Sequence, residues 1–136
     1  MFMLNEKLIP SSIARKSDVE KINKKLGYSS EEQVVGTWID GKPIYRKVIN
    51  VGKLQATKGA YSYDHGISNI DYFTKVEGIM NNGTEWFSMN SCYRGVNNFI
   101  YDFGLLATKT KITCSTQTDR SAYSAIVTLE YTKTTD

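Results

Sequence analysis

Near the end of the chain, apolar and polar side chains alternate almost without fault. Tyr123, Ala125, Val127, Leu129 and Tyr131 form one set, and Ser124, Thr128 and Glu130 the other, with only Ile126 breaking the polar set. Successive strand side chains point to opposite faces, so this is the pattern of a strand with one face buried. A second, more polar strand is predicted over residues 108–118. Residues 98–104 place Phe99, Tyr101 and Phe103 on one face of a third.

The period differs at the other end. Ser17 and Glu20 form an S-x-x-E capping box, and Gly27 stands where a helix C-terminus favours a left-handed residue. A helix over about 18–26 is therefore predicted. Its apolar positions, Val19, Ile22 and Leu26, make one narrow seam. So short a helix is unstable alone, and it must pack on its own domain or on copies of itself. Upstream, residues 1–16 have no sustained period, and Pro10 holds Ile9 away from helix. After Gly27 no helical pattern, internal repeat or low-complexity segment occurs.

Two tight turns are readable between strands. Asp40-Gly41 and Asn82-Gly83 are dipeptides suited to two-residue type I′ turns. Such turns would place Trp38 opposite Pro43, Thr37 opposite Ile44 and Gly36 opposite Tyr45. In the second hairpin they would place Ile79 opposite Trp86, Gly78 opposite Phe87 and Val76 opposite Met89. A glycine would then meet an aromatic ring in each hairpin. On this reading the residue-rich phrase VVGTWIDGKPIYRK, residues 34–47, is scaffold. Its functional alternative is that Trp38 or Tyr45 faces out and stacks on a ligand such as a sugar.

Composition narrows the class. The chain has 136 residues, suiting one domain, and is 40% hydrophobic, enough for a real core. The nine tyrosines, beside many threonines and valines, favour strands. No apolar run reaches membrane-spanning length, and MFMLNEKLIPSS lacks the layout of a signal peptide. Of 17 basic and 14 acidic residues, six and three lie in residues 1–28, leaving eleven of each beyond them. The formal charge of +3 thus belongs to the N-terminal segment, where it suits either an acidic partner or a solvated helix face. A charge-balanced remainder argues against nucleic acid.

The chemistry-bearing residues are few. Cys92 and Cys114 form no CxxC, and with one histidine in the chain a Cys/His zinc site lacks ligands, so both are read as buried free thiols, with a disulfide between them as the alternative. His65 sits in the loop-like stretch YSYDHGISN beside Asp64, a poor arrangement for orienting an imidazole, and is read as a surface or turn residue. No phosphate loop, dinucleotide fingerprint or calcium loop is present, so no cofactor is expected. Asn82-Gly83-Thr84 matches a glycosylation sequon, which the turn already explains.

Residues 28–49, YSSEEQVVGTWIDGKPIYRKVI, resemble the opening of a small β-sandwich module of bacteriophage tail-fibre and receptor-binding proteins. Residues 121–136, SAYSAIVTLEYTKTTD, resemble that module's closing strand and tail, and FGLLATKTKITCSTQTDRSAYSAIVTLEYTKT fits its last hairpin. The phrase GTWIDGKPIYRK is the specific part. The resemblance implies an all-β fold, an antiparallel, jelly-roll-like β-sandwich with a short N-terminal helix. It implies a homotrimeric virion protein assembled in the host cytoplasm, with no enzyme activity. Residues 1–27 then become an anchor to another virion protein, with Val19, Ile22 and Leu26 on the trimer axis, and residues 28–136 the head. Family members usually follow a long shaft, whereas only residues 1–27 precede the module here.

Three functions are weighed on this basis. The first is a receptor-binding head touching the host surface, with a surface glycan as candidate ligand. Its candidate contacts are loop aromatics and their neighbours: Tyr61, Tyr63, His65, Tyr93 and Arg94. The second is a capsid head-fibre or decoration protein without a dedicated receptor. The third is a surface-polysaccharide hydrolase, for which no acid/base pair stands out.

Overall fold

The computed structural model describes residues 27–89 and 103–136. Their regular structure is entirely β: β1 (Gln33–Thr37), β2 (Pro43–Lys53), β3 (Gly59–Asp64), β4 (Ile70–Asn81), β5 (Trp86–Ser88), β6 (Phe103–Ala107), β7 (Lys111–Thr116) and β8 (Ser124–Lys133). Every strand pair is antiparallel. One sheet has the order β1-β2-β8-β4-β5 and the other β3-β7-β6.

The cleanest alternation in the sequence becomes the centre of the larger sheet. β8 lies between the two longest strands, β2 and β4, and Ala125, Val127, Leu129 and Tyr131 are each fully buried. Burying a side chain the size of Leu129 contributes about 1.5–3 kcal/mol. Ile126 points the other way and stays half exposed, as its break in the pattern requires. In the smaller sheet, Ile112, Cys114 and Thr116 of β7 face inward and are buried. Phe103 of β6 joins them, and inward residues of both sheets form one hydrophobic core. Across the larger sheet runs an aromatic row. Tyr45 stacks on Tyr131 at 6.0 Å, Tyr131 meets Phe73 edge-on at 6.2 Å, and Phe73 meets His65 at 6.2 Å.

Both hairpins differ from the two-residue expectation. In the first, Thr37 pairs with Pro43 and Gly36 with Ile44, one position away from the expected register. The loop is three residues long: Gly41 N–H donates to Trp38 O and Trp38 N–H to Lys42 O. Of the turn pair only Gly41 has positive φ, at 89°. A type I′ turn asks Asp40 for that conformation too, whereas a three-residue loop needs it only from the glycine. A bulge between Val34 and Gly36 then shifts the register again, so that Val34 faces Tyr45.

In the second hairpin Asn81 pairs with Trp86, Met80 with Phe87 and Ile79 with Ser88. Four residues form the loop because Asn82 Oδ1 accepts from the backbone N–H groups of both Thr84 and Glu85. This side-chain bonding outcompetes the tight Asn-Gly turn. Gly78 therefore lies beside Met89, not Phe87, and Met89 N–H donates to Gly78 O. Neither glycine meets the expected aromatic.

Residues 108–118 also divide. A turn closed by Thr108 N–H to Lys111 O, 2.7 Å, precedes β7. The predicted helix with Val19, Ile22 and Leu26, and the aromatics Phe99 and Tyr101, lie outside the described residues.

Candidate functional site

Of the loop residues expected to touch a ligand, Tyr61, Tyr63 and His65 lie among the described residues. Tyr61 and Tyr63 belong to β3, an edge strand of the smaller sheet, not to a loop. Tyr61 is part exposed and its hydroxyl shares a 2.6 Å hydrogen bond with Thr57 Oγ1. Tyr63 packs against the core, and desolvation there raises its phenol above the ordinary range. Tyr93 and Arg94 lie outside the described residues.

His65 is a correction. It is only 2% exposed, so it is no surface residue. Its Nδ1 accepts from Ile67 N–H at 3.1 Å, which leaves the ring proton on Nε2, 2.9 Å from Thr108 O. Lys47 Nζ donates to His65 O at 2.9 Å. Both ring nitrogens are thus committed to backbone groups of two loops. The histidine ties β3 to the turn before β7 and offers no nitrogen to a substrate.

Cys114 is a buried free thiol at 0% exposure, and Cys92 lies outside the described residues. Among the described residues no cluster of three or more His, Cys, Asp or Glu has the spacing to hold a metal.

Among the described residues, a set of aromatic and charged side chains gathers at the β1–β2 hairpin and the end of β8. Trp38, from the hairpin, lies 6.0 Å from Tyr72 of β4, with the rings inclined by 31°. Tyr72 is 58% exposed. Beside them Lys42 Nζ donates to Asp71 Oδ2 at 2.8 Å and to Lys133 O at 3.3 Å. That hydrogen bond holds the Asp71 carboxyl below its ordinary pKa and the Lys42 ammonium above its own.

On the inner side of the same end, Tyr45 donates to Asp136 Oδ2 and Tyr131 to Glu32 Oε2, both at 2.6 Å. Lys133 Nζ bridges the two, 2.8 Å from Glu32 Oε1 and 5.0 Å from the Tyr45 ring centre. Burial, then the Glu32 hydrogen bond, pushes the Tyr131 hydroxyl far above the ordinary tyrosine range. Each carboxylate here accepts from a hydroxyl or ammonium. The inner cluster is a clasp joining the segment before β1 to the end of β8.

The backbone explains how the outer set assembles. β4 is irregular between Ile70 and Tyr72, where Asp71 is the extra residue of a β-bulge. A bulge re-aims a side chain that regular alternation would send to the other face. Here it lets the consecutive residues Asp71 and Tyr72 both meet the β1–β2 hairpin, one through Lys42 and one through Trp38. Just upstream, Asn69 holds φ at 60°, uncommon for a residue with a side chain. Its carbonyl accepts from Thr134 N–H at 2.8 Å, which fixes the bend.

The sequence pointed to Trp38 and Tyr45 but not to Asp71 or Tyr72. A signal was present in IDYFTK, residues 70–75. Two adjacent aromatics cannot both face inward on a regular strand, so either Tyr72 or Phe73 had to face out.

No protein-family model matches the chain, and neither a curated protein nor a solved structure matches it.

Proposed function

We propose that this chain is a bacteriophage virion appendage protein. In this reading it is a short homotrimeric fibre whose head, a jelly-roll-like β-sandwich over residues 28–136, contacts the host surface while residues 1–27 anchor it to the particle. The observation that carries the reading is the GTWIDGKPIYRK phrase and its surroundings, residues 28–49, which resemble the opening of that module. An all-β antiparallel architecture agrees with the all-β fold that the resemblance implies. Association of heads is supported by a group of exposed apolar side chains on the larger sheet. Ile79 and Ile126 face each other across β4 and β8, and Trp86 stands next to them on β5, opposite Asn81. These three side chains are 42–65% exposed, which suits a surface that another subunit covers.

The head-fibre or decoration reading keeps the same fold and differs only in location. Immunogold electron microscopy tests both, with antibody against residues 28–136 applied to particles from cells encoding the chain. Label at the distal tail supports host attachment. Label over the capsid supports the head-fibre role. Particles that carry no label sink the appendage reading.

A further inference from the structure

Nothing so far assigns a ligand to the exposed ring of Tyr72. Trp38 lies beside it, with ring centres 6.0 Å apart and planes inclined by 31°, while Tyr72 keeps more than half of its surface exposed. Asp71 rims the ring, carried there by the bulge, with one carboxylate oxygen on Lys42. Its other oxygen, Oδ1, has no hydrogen-bond partner among the described residues. The left-handed Asn69 two residues earlier adds backbone strain of the kind that concentrates where a protein shapes a site. An aromatic face with a free acceptor and an ammonium beside it matches one ligand chemistry well. A pyranose ring has an apolar C–H face to lie on the aromatic and equatorial hydroxyls to donate to a carboxylate and accept from an ammonium.

Local charge narrows the sugar. Asp40, Asp71, Asp136 and Glu32 surround this end, against Lys42, Lys109 and Lys133. Carboxylates outnumber ammonium groups, so an acidic sugar is repelled. We propose that Trp38 and Tyr72, with Asp71 and Lys42 at their rim, bind a neutral hexopyranose unit of a polysaccharide. The proposal rests on the surface-contact reading for its biological role, but its chemistry is testable without a particle.

The test uses the full chain carrying Trp86→Phe, which leaves Trp38 as the sole tryptophan. Its emission is followed during titration with maltotriose, mannotriose and galactotriose, and with trigalacturonate as the acidic control. At least one neutral trisaccharide should shift the Trp38 emission to the blue with a Kd at or below roughly 10 mM, the range of weak single sites. Tyr72→Ala should weaken binding about tenfold while Tyr72→Phe retains it. Asp71→Asn should also weaken it about tenfold, and it supplies the test if Tyr72→Ala fails to fold. No response to any neutral sugar overturns the proposal, as does a response to trigalacturonate alone or binding unchanged in both Tyr72→Ala and Asp71→Asn. Sugar binding by a chain that labels no particle would retain this site and remove the appendage reading. Label on the tail with no sugar response would do the reverse.

Discussion

Gly78 is the position where one methyl group tests the packing between strands. It is buried on β4, facing Val127 of β8 on one side and Met89 on the other. A Cβ there would lie 2.6 Å from Met89 Sδ, 3.0 Å from Leu105 Cδ2 and 3.2 Å from Met89 Cβ. Ordinary carbon contacts begin at about 3.5 Å, so the methyl is nearly 1 Å too close to the sulfur. The thioether is flexible, but Met89 is fully buried and its Cβ is anchored to the backbone. Overpacking of this kind costs about 1–3 kcal/mol. Against it stands the gain of about 0.5–1 kcal/mol from replacing glycine inside a strand. Gly78→Ala should therefore lose about 1–2 kcal/mol. The midpoint of thermal unfolding, read by circular dichroism at equal protein concentration, should fall by about 3–10 °C. The loss should shrink in a Met89→Ala background, where the sulfur is gone while the contacts with the residue 89 Cβ and Leu105 Cδ2 remain. If Gly78→Ala in the native background is as stable as the parent, the close approach of β4 to Met89 is wrong.

Three further outcomes are expected. His65→Ala strands Ile67 N–H and Thr108 O in the interior and should cost about 2–5 kcal/mol in a urea melt, and ¹⁵N NMR of the parent should find the ring proton on Nε2. A proton on Nδ1 would contradict the Ile67 bond. Burial pushes the Cys114 thiol from 9.0 up to about 11, so the folded thiol keeps a proton that the unfolded one loses. Its contribution is complete below pH 9.0 and disappears as pH rises towards 11, a decline that Cys114→Val should flatten in pH-dependent melts. Stoichiometric thiol labelling of native Cys92→Ser protein at about pH 8 would show that Cys114 is not shielded. If the seam of Val19, Ile22 and Leu26 holds the proposed trimer, Ile22→Asp should dissociate it in analytical ultracentrifugation. If it remains trimeric, the heads do the associating, and Ile126→Glu in the exposed patch should dissociate it instead.

Alternation was a reliable guide where a strand is regular and an unreliable one where it bulges. β8 reads directly from residues 123–131 because it is the central strand and buries one complete face. Its neighbours do not read so easily. β2 changes register between Asn50 and Gly52, and β4 does so twice, at Ile70/Tyr72 and at Phe73/Lys75. Each extra residue inverts which side chains face inward, so period-two counting along β4 fails twice in one strand. The turns were found at the right dipeptides but with the wrong lengths. Turn length follows from competition between a tight backbone turn and side-chain bonds such as those of Asn82, and a dipeptide alone does not decide it. His65 was misplaced for a related reason. Its burial depends on Ile67 and Thr108, and Thr108 becomes its neighbour only when the two loops meet.

The candidate site follows from the same irregularity. On a regular β4, Asp71 and Tyr72 would face opposite sides of the sheet and could not share one hairpin. The bulge brings both to the β1–β2 hairpin, where Lys42 and Trp38 receive them. A carboxylate and an aromatic ring side by side at this end of the sheet are thus a product of the break in periodicity. In a β protein of this kind, adjacent aromatics such as Tyr72 and Phe73 are where a surface-binding residue is best sought, because only one of the two can belong to the core.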